Sequence, residues 1–209
     1  IDFVSGPLCG PGYSFETAFN ESMVPPMTDL ICRDLCMTFL NATTGAKVEA
    51  LKDINFELME GEILTVLGPS GCGKTTLLNM IAGFITPTSG DLVLGDTPID
   101  GPGAERGMVF QQGALFEWLT VARNVDFGLR MRGADDAETS AKVETWLDTV
   151  GLQGFGDTPT YQLSGGMQQR VALARCLVND PSLILMDEPL GALDALTREK
   201  MQSLILELW

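Results

Sequence analysis

Histidine is absent from the sequence, and cysteine is scarce. The five cysteines form an odd and scattered set, at Cys9, Cys32, Cys36, Cys72 and Cys176. Cys32 and Cys36 lie near each other, but a zinc site would need a second close pair, or histidines, to complete its ligands. We therefore exclude a zinc site of this kind. Cysteines without an evident pairing favour a reducing compartment.

Basic residues are also few. Thirteen Lys and Arg stand against twenty-eight Asp and Glu, which gives a net charge of −15. A nucleic-acid surface needs a basic stripe along the phosphate backbone. The charge balance therefore argues against a nucleic-acid partner and indicates an acidic protein whose copies repel one another.

Long apolar runs are missing as well. A transmembrane helix needs about 20 consecutive apolar residues, and no stretch of this sequence approaches that length. We therefore expect any role at a membrane to go through a partner protein. The 209 residues are 45% hydrophobic, which is enough to bury the core of one large domain or two small ones.

The chain is organised around a glycine-rich segment, Gly68-Pro69-Ser70-Gly71-Cys72-Gly73-Lys74-Thr75-Thr76. It matches the phosphate-loop pattern G-x-x-x-x-G-K-[ST]. An apolar run at 63–67, typical of a buried strand, precedes it, and an apolar helical pattern over 76–81 follows it and stops at Gly83. The glycines let backbone N–H groups surround an anion at the positive end of that helix.

This segment predicts a nucleoside triphosphate site. Lys74 would reach the β- and γ-phosphates, and the Thr75 hydroxyl would complete the shell of a Mg²⁺ ion. A glycine-rich turn without a ligand would not need strand, loop and helix in this register. Cys72 is a small filler within the loop, and we hypothesise that alkylating it would block nucleotide entry.

The flanking segments suggest how the domain is built. Residues 1–26 are rich in Gly, Pro and Ser, and we predict a weakly structured upstream extension there, with an ordered extra strand as the alternative. The main domain would cover 27–209. Strand patterns at 30–39, 53–58 and 92–94 indicate that antiparallel strands surround a parallel nucleotide-binding core.

The middle of the chain is mostly helical in pattern. A short buried strand at 108–110 ends at Gln111, and we assign approximately 112–179 to a helical subdomain. Residues 135–150 form an amphipathic helix that stops at Gly151. Its apolar face consists of ordinary core residues: Val143, Trp146, Leu147 and Val150.

A second glycine segment follows at Leu163-Ser164-Gly165-Gly166. Ser164 is a good N-cap for a helix that runs to about Asn179. Glycines behind a capping serine give a helix N-terminus that an anion can approach closely. Taken alone, this segment is only a helix cap.

Two carboxylates end the apolar strand pattern at 183–186, namely Asp187 and Glu188. A continuous apolar run is typical of a buried parallel strand, and ligand sites lie at the carboxyl ends of such strands. Asp187 would hold Mg²⁺, directly or through water, and Glu188 would orient and deprotonate the attacking water. A solvated acidic strand end is the alternative. A last helix follows Gly191-Ala192-Leu193-Asp194.

Together, the phosphate loop, Gln111, LSGGMQQR, LILMDE and GALD resemble the ATP-binding subunit of an ABC transporter over residues 28–209. The resemblance implies an α/β fold of the ABC ATPase type: a P-loop NTPase (RecA-like) core with an antiparallel β subdomain and an inserted α-helical subdomain. It also implies ATP hydrolysis with ATP and Mg²⁺ bound.

The resemblance further implies a role for each motif. Two copies would sandwich ATP head to tail, with Gly71, Gly73, Lys74, Thr75 and Thr76 of one copy facing Ser164, Gly165 and Gly166 of the other. Gln111 would touch Mg²⁺ and the attacking water, and Asp194 would lie at the dimer seam. Phe39 would stack on adenine, although core packing explains this aromatic nearly as well.

Within the family, residues 101–111 and 191–202 look most like importers of nitrate, sulfonates and taurine, with taurine importers the nearest match. The implied partners are a second ATPase subunit, transmembrane permease subunits and, indirectly, a periplasmic or lipoprotein solute-binding protein. The implied location is the cytoplasmic face of the bacterial inner membrane.

The sequence departs from the family pattern in two places. Glu117 precedes Trp118 where relatives usually have proline, in the segment that the resemblance assigns to the permease contact. The family also places a histidine on a strand beyond residue 209. We therefore expect a C-terminally truncated sequence that binds ATP but hydrolyses it poorly.

Two other readings remain open. A non-transport ABC ATPase of the DNA-repair or translation type usually has long insertions, a second ATPase half or basic surfaces, none of which the sequence shows. A phosphate-loop kinase would have no use for LSGGMQQR.

Overall fold

The computed structural model describes residues 2–6, 29–111, 114–191 and 193–207. The chain divides into two compact units, residues 1–102 and residues 103–209. Each unit is described separately below.

The first unit is mainly β. In chain order, it contains strands β1 (Asp2–Gly6), β2 (Leu30–Leu40), β3 (Lys47–Leu58) and β4 (Ile63–Leu67), helix α1 (Lys74–Ile81), and strands β5 (Ser89–Leu94) and β6 (Thr97–Pro98). Four of the strands form one antiparallel sheet in the order β3-β2-β5-β6. The expected antiparallel subdomain is therefore present.

Apolar alternation explains the position of this sheet. Leu30, Cys32 and Leu35 of β2 are almost completely buried, as are Leu51 of β3 and Leu92 of β5. Exposed and half-buried side chains alternate over residues 53–58, as the period-two pattern predicts for a half-buried strand. One face of the sheet therefore supplies the core.

Strand β4 differs from the expected buried strand of a parallel core. Its residues are half-buried or exposed, and Leu67 is 49% exposed. Among the described residues, β4 pairs only with β1, and the pairing is antiparallel. The prediction of a buried strand is therefore wrong for the described residues, among which β1 is the one strand that borders β4.

The first residues of the chain include an ordered strand. Asp2–Gly6 pairs in register with Ile63–Leu67, which is the alternative that the sequence left open. The rest of the expected upstream extension, residues 7–26, lies outside the described residues.

The second unit is mainly helical. In chain order, it contains strand β7 (Arg106–Val109), helices α2 (Val121–Val125), α3 (Phe127–Met131), α4 (Asp136–Thr149) and α5 (Gly165–Leu177), strand β8 (Leu183–Met186) and helix α6 (Ala195–Glu207). Strands β7 and β8 pair in parallel. A short 3₁₀ turn, Thr160–Gln162, precedes α5.

The helices of this unit share a core. Its buried members include Val121 and Val125 of α2, Val143 and Leu147 of α4, and Val171 of α5, and Trp146 packs against them. The apolar face predicted for residues 135–150 is therefore confirmed. Gly151 follows α4 with φ 66°, the left-handed conformation typical of a glycine after a helix C-terminus.

Candidate functional site

The phosphate loop joins β4 to α1. Gly71 and Gly73 have φ values of 81° and 101°, which glycine adopts at little cost. The Lys74 ammonium lies over the loop and donates hydrogen bonds to Gly68 O at 2.8 Å and Pro69 O at 2.9 Å. Thr75 is exposed and Thr76 is half-buried. The predicted strand, loop and helix are therefore consecutive in the structure.

Gly73 occupies the tightest position of this loop. A Cβ atom there would lie 2.6 Å from Ala50 O and 2.8 Å from Leu51 Cδ2, both on β3. At Gly71, a Cβ atom would meet nothing within 4 Å. The loop is therefore packed against the antiparallel sheet at one glycine and open at the other.

The N-terminus of α1 has the properties of an anion site. Its N-cap residue is Gly73, and no side chain caps the helix. The first N–H groups of a helix point along its axis and carry partial positive charge. With the Lys74 ammonium beside them, these donors suit a polyphosphate. Cys72 Sγ lies 3.8 Å from Lys74 Nζ, so the thiol is next to the lysine that is predicted to reach the phosphates.

Gln111 and Glu188 meet in the second unit. Gln111 follows β7 and Glu188 follows β8, so the parallel pairing brings both to the carboxyl edge of the two strands. Gln111 Nε2 donates a hydrogen bond to Glu188 Oε2 at 2.8 Å. Because both side chains are exposed or half-buried, the carboxylate is within reach of water.

The two carboxylates after β8 have different backbones. Asp187 N donates to Val109 O at 2.9 Å, which extends the ladder by one residue. Glu188 has φ 48°, a left-handed conformation unusual for a non-glycine residue. The chain therefore leaves the strand direction at Glu188, and the division of roles between the two carboxylates stays a prediction.

Ser164 is the N-cap of α5. Its Oγ accepts a hydrogen bond from Met167 N at 3.3 Å, and Gly165 and Gly166 form the first turn. A Cβ atom added at Gly165 would meet no heavy atom within 4 Å. The capped and open helix N-terminus expected from the sequence is present, and α5 ends at Leu177, two residues before the predicted end at about Asn179.

Asp194 and Phe39 were predicted as a dimer-seam residue and an adenine-stacking residue. Asp194 Oδ1 accepts from Thr197 N at 3.0 Å, at the start of α6. This bond is the main reason that the pKa of Asp194 lies below its usual value. Phe39, near the end of β2, is 39% exposed and pairs across the sheet with Val48. Both predicted roles remain predictions.

Two buried side-chain amides make contacts that the sequence pattern did not predict. Gln169 of α5 is 3% exposed and donates to Phe110 O at 3.3 Å, so it links α5 to the residue before Gln111. Asn124 of α2 is fully buried, accepts from Phe116 N and donates to Phe116 O and Thr120 O. Amides on apolar helix faces are the only sequence signal for these roles.

Among the described residues, no group of three or more acidic or cysteine side chains converges on a point that could hold a metal ion. In the same part of the chain, every helix is too short or too polar to cross a bilayer.

These features define a class. A phosphate loop between a strand and a helix, an antiparallel sheet beside it, a capped Ser-Gly-Gly helix, and a parallel strand ending in Asp187-Glu188 are the parts of an ATP-binding cassette. The fold is that of the ABC ATPases, since two solved cassettes superpose on most of the chain.

Both structures are of the cassette MJ0796. One is a dimer in a post-hydrolysis state bound to ADP and Pi; it has a TM-score of 0.73 and 32% identity, and the match covers 86% of this chain and 82% of that chain. The other is described as the dimeric structure of a bacterial ABC transporter cassette, with a TM-score of 0.74 and 30% identity.

The sequence comparisons give the family. Residues 51–191 match the ABC transporter family. A taurine import ATP-binding protein of Pelagibacter ubique is 73% identical over 183 residues, which are 88% of this chain and 69% of the relative. A protein of the same name from Jannaschia is 61% identical over 183 residues, 88% of this chain and 68% of the relative. The chain therefore belongs to the ABC transporter family, as an ATPase subunit.

Proposed function

We propose that this chain binds and hydrolyses ATP to drive import of taurine or a related sulfonate through a membrane permease. The observation that carries the ATP part is the phosphate loop, where Lys74 and the uncapped start of α1 present positive charge to one place. The solute part is supported by the 73% identity to a taurine import ATP-binding protein.

The loop would exchange internal contacts for contacts with the nucleotide. Lys74 Nζ donates to two neutral carbonyl oxygens, Gly68 O and Pro69 O. Charged phosphate oxygens are stronger acceptors than carbonyl oxygens. Lys74 would therefore turn towards the β- and γ-phosphates, and the N–H groups of the loop and of α1 would surround the same oxygens.

Gln111 and Glu188 would handle the attacking water. The carboxylate accepts from the Gln111 amide at 2.8 Å, so the two groups are already positioned relative to each other. Glu188 would accept the proton of the water, and Gln111 would fix the orientation of the carboxylate and of the water. Removing the carboxylate while keeping the amide geometry, as in Glu188→Gln, would stop hydrolysis and leave binding intact.

Mg²⁺ fits the donor set. Mg²⁺ prefers oxygen ligands and usually binds through one or two protein groups together with substrate phosphates and water. Thr75 offers a hydroxyl oxygen and Asp187 a carboxylate oxygen, and both donors suit that mode. Together with Gln111, these are the residues that would hold the ion, which neutralises phosphate charge when bound.

The chain would work as a dimer. The solved cassettes that it resembles are dimeric, and the α5 N-terminus beginning at Ser164 is open to an approaching anion. We infer that Ser164, Gly165 and Gly166 of one copy approach the γ-phosphate held by the loop of the other. The permease and an indirect solute-binding protein complete the proposed partners, at the cytoplasmic face of the inner membrane.

A transport assay tests this proposal. Vesicles containing the permease assembled with the protein are loaded with ATP, and uptake of labelled taurine is compared with uptake of labelled nitrate. We expect ATP-dependent taurine uptake that is lost in Glu188→Gln and kept in Glu144→Gln, an acidic residue of α4 outside the proposed site. Nitrate uptake without taurine uptake would contradict the assignment of taurine as the solute. Equal taurine uptake by the wild type and by Glu188→Gln would contradict the proposed role of Glu188 in hydrolysis.

A further inference from the structure

A cavity of about 260 Å³ in the second unit lies between β7 and the C-terminal ends of α3 and α5. Three of its ten lining residues are arginines, Arg106, Arg132 and Arg175, and none of the ten is an aspartate or a glutamate. The whole chain has only thirteen basic residues against twenty-eight acidic ones. This arginine cavity is therefore a positive site in an acidic protein, and it shares no residue with the proposed nucleotide site.

The guanidinium groups are fixed by neighbouring groups. Arg132 donates to the backbone and side-chain oxygens of Asn179 at 3.2 Å and 2.5 Å. Arg175 donates to Ala114 O at 3.0 Å. These oxygens are neutral, so the bonds orient the arginines without cancelling their charge.

The three arginines differ in their surroundings. The Arg106 side chain is only 6% exposed, and its charge is partnered by Glu105, so Arg132 and Arg175 supply most of the positive charge of the cavity. Burial lowers the pKa of Arg175, because a desolvated cation is disfavoured. An anion that entered the cavity would add charge-assisted hydrogen bonds to these guanidinium groups.

Glycines let the walls of the cavity approach one another. A Cβ atom at Gly107 would lie 2.5 Å from Cys176 Sγ, and one at Gly128 would lie 2.4 Å from Asn179 Oδ1. The strand and the α3 helix can therefore pack closely against the end of α5, which brings the three arginines to one space. This space is below the range of about 300–1,000 Å³ typical of drug-sized ligands, so it suits an ion of a few atoms with its water.

We propose that the arginine cavity binds a small tetrahedral oxyanion, of the phosphate or sulfonate class. The planar guanidinium presents paired N–H donors that match two oxygens of such an ion. Phosphate would be the product and a sulfonate the solute of the proposed import reaction, and only this choice of sources rests on the proposed function. The positive cavity itself does not depend on it.

The test is calorimetric titration of the chain carrying Lys74→Ala, so that the phosphate loop no longer contributes its main cation. Inorganic phosphate and methanesulfonate are titrated separately. We expect saturable binding of at least one anion. Binding of phosphate alone, of methanesulfonate alone, or of both supports the site and identifies the source, whereas no saturable binding of either anion overturns the proposal.

Charge variants locate the binding. Ala104 lines the cavity and is exposed on a turn, so Ala104→Glu should fold and place a carboxylate at the rim. It should weaken binding about tenfold or more, while the size-matched Ala104→Gln should not. Equal affinity in these two variants contradicts the proposal.

An arginine pair gives a second comparison. Arg132→Gln should lower the affinity for the anion about tenfold or more, since it removes one charge-assisted contact. Arg130→Gln removes the same charge from α3 at a residue that does not line the cavity and instead bonds Asp136, so it should keep the affinity. A larger loss of affinity in Arg130→Gln than in Arg132→Gln would contradict the assignment of the anion to the cavity.

ATP binding separates this proposal from the proposed function. In chains with an intact phosphate loop, Ala104→Glu should leave ATP binding unchanged, so each proposal can fail without the other.

Discussion

Lys74 lies over its own loop, with its ammonium group bonded to Gly68 O and Pro69 O. At the residue scale, the loop therefore holds its cation in place through two backbone carbonyls, which a phosphate would replace in the proposed site. The neighbouring positions are set by space: Gly73 faces β3 closely, and Gly71 faces open space. Single substitutions in this loop should consequently separate effects on folding from effects on binding.

Gly73→Ala should destabilise the chain more than Gly71→Ala. Both residues have positive φ, so alanine strains both. Only at position 73 would the added Cβ also meet backbone, at 2.6 Å from Ala50 O. We expect Gly73→Ala to lower the free energy of unfolding by roughly 1–3 kcal/mol more than Gly71→Ala. Urea unfolding measures both, and equal losses would contradict the close packing.

Cys72 should be a reporter of nucleotide binding. Its sulfur lies 3.8 Å from Lys74 Nζ, and the side chain is partly accessible, whereas Cys32 and Cys176 are buried. We expect maleimide to modify Cys72 and to abolish ATP binding, and we expect ATP to protect it. Mass spectrometry of the labelled peptides, with Cys72→Ser as the control, measures this. Labelling of Cys72 at the same rate with and without ATP would refute the prediction.

Buried thiols should make stability fall in alkaline solution. Burial raises the pKa of Cys32 and of Cys176 from 9.0 to about 12. Between these values the unfolded chain loses protons that the folded chain keeps, so the stabilisation present below 9.0 is lost as pH rises towards 12. The loss is of the order of 1 kcal/mol per pH unit for each thiol.

Cys32→Val tests this assignment. The variant should lose less stability than the wild type when urea unfolding is compared across pH 9.0 and above. Leu35→Val, at a buried position on the same strand that carries no titratable group, serves as the control and should keep the alkaline loss of the wild type. An identical alkaline loss in the Cys32→Val variant would show that burial of this thiol does not cause it.

Helix α5 shows how one element serves both fold and site. Its buried face, including Val171 and Ala174, belongs to the helical core, and its N-terminus begins at the cap formed by Ser164. Gln169 on the same helix holds Phe110 O. A shift of α5 should therefore be transmitted to the backbone just before Gln111, which would give the helix a positioning role for the pair proposed to activate water.

Ser164→Ala should weaken α5 at its start. The Ser164 hydroxyl accepts from Met167 N at 3.3 Å, and removing an N-cap costs about 1 kcal/mol. Ser140→Ala is the matched control, because that hydroxyl donates to Asp136 O in the interior of α4 and caps nothing. Thermal unfolding should show the lower midpoint for Ser164→Ala. A lower midpoint for Ser140→Ala than for Ser164→Ala would contradict the assignment of Ser164 as the N-cap of α5.

For the whole molecule, local patterns predicted most elements, and long-range packing decided the rest. The phosphate loop, helix α4 and the Gln111–Glu188 region follow from glycine chemistry, apolar periodicity and motif order. The partial exposure of β4 and its pairing with β1 could not be predicted, since strand neighbours depend on distant segments. The arginine cavity was equally hidden, because Arg106, Arg132 and Arg175 are far apart in sequence.

Family membership and the three-dimensional contacts explain different features of this chain. Family membership accounts for the order of the motifs over residues 51–191. The structure adds the backbone contacts that hold Lys74, the direct bond between Gln111 and Glu188, and the buried amide of Gln169. Together they describe an acidic ATPase subunit of the ABC transporter family.

The most direct measurement is the equilibrium affinity of the chain for MgATP in the wild type, in Lys74→Ala and in Lys52→Ala. Lys52 is an exposed lysine of β3 with a weak ion pair to Glu49. The account predicts an affinity about 10- to 100-fold lower for Lys74→Ala, as for loss of one charge-assisted contact, and an unchanged affinity for Lys52→Ala. Equal affinities in all three proteins would contradict a nucleotide site at the phosphate loop.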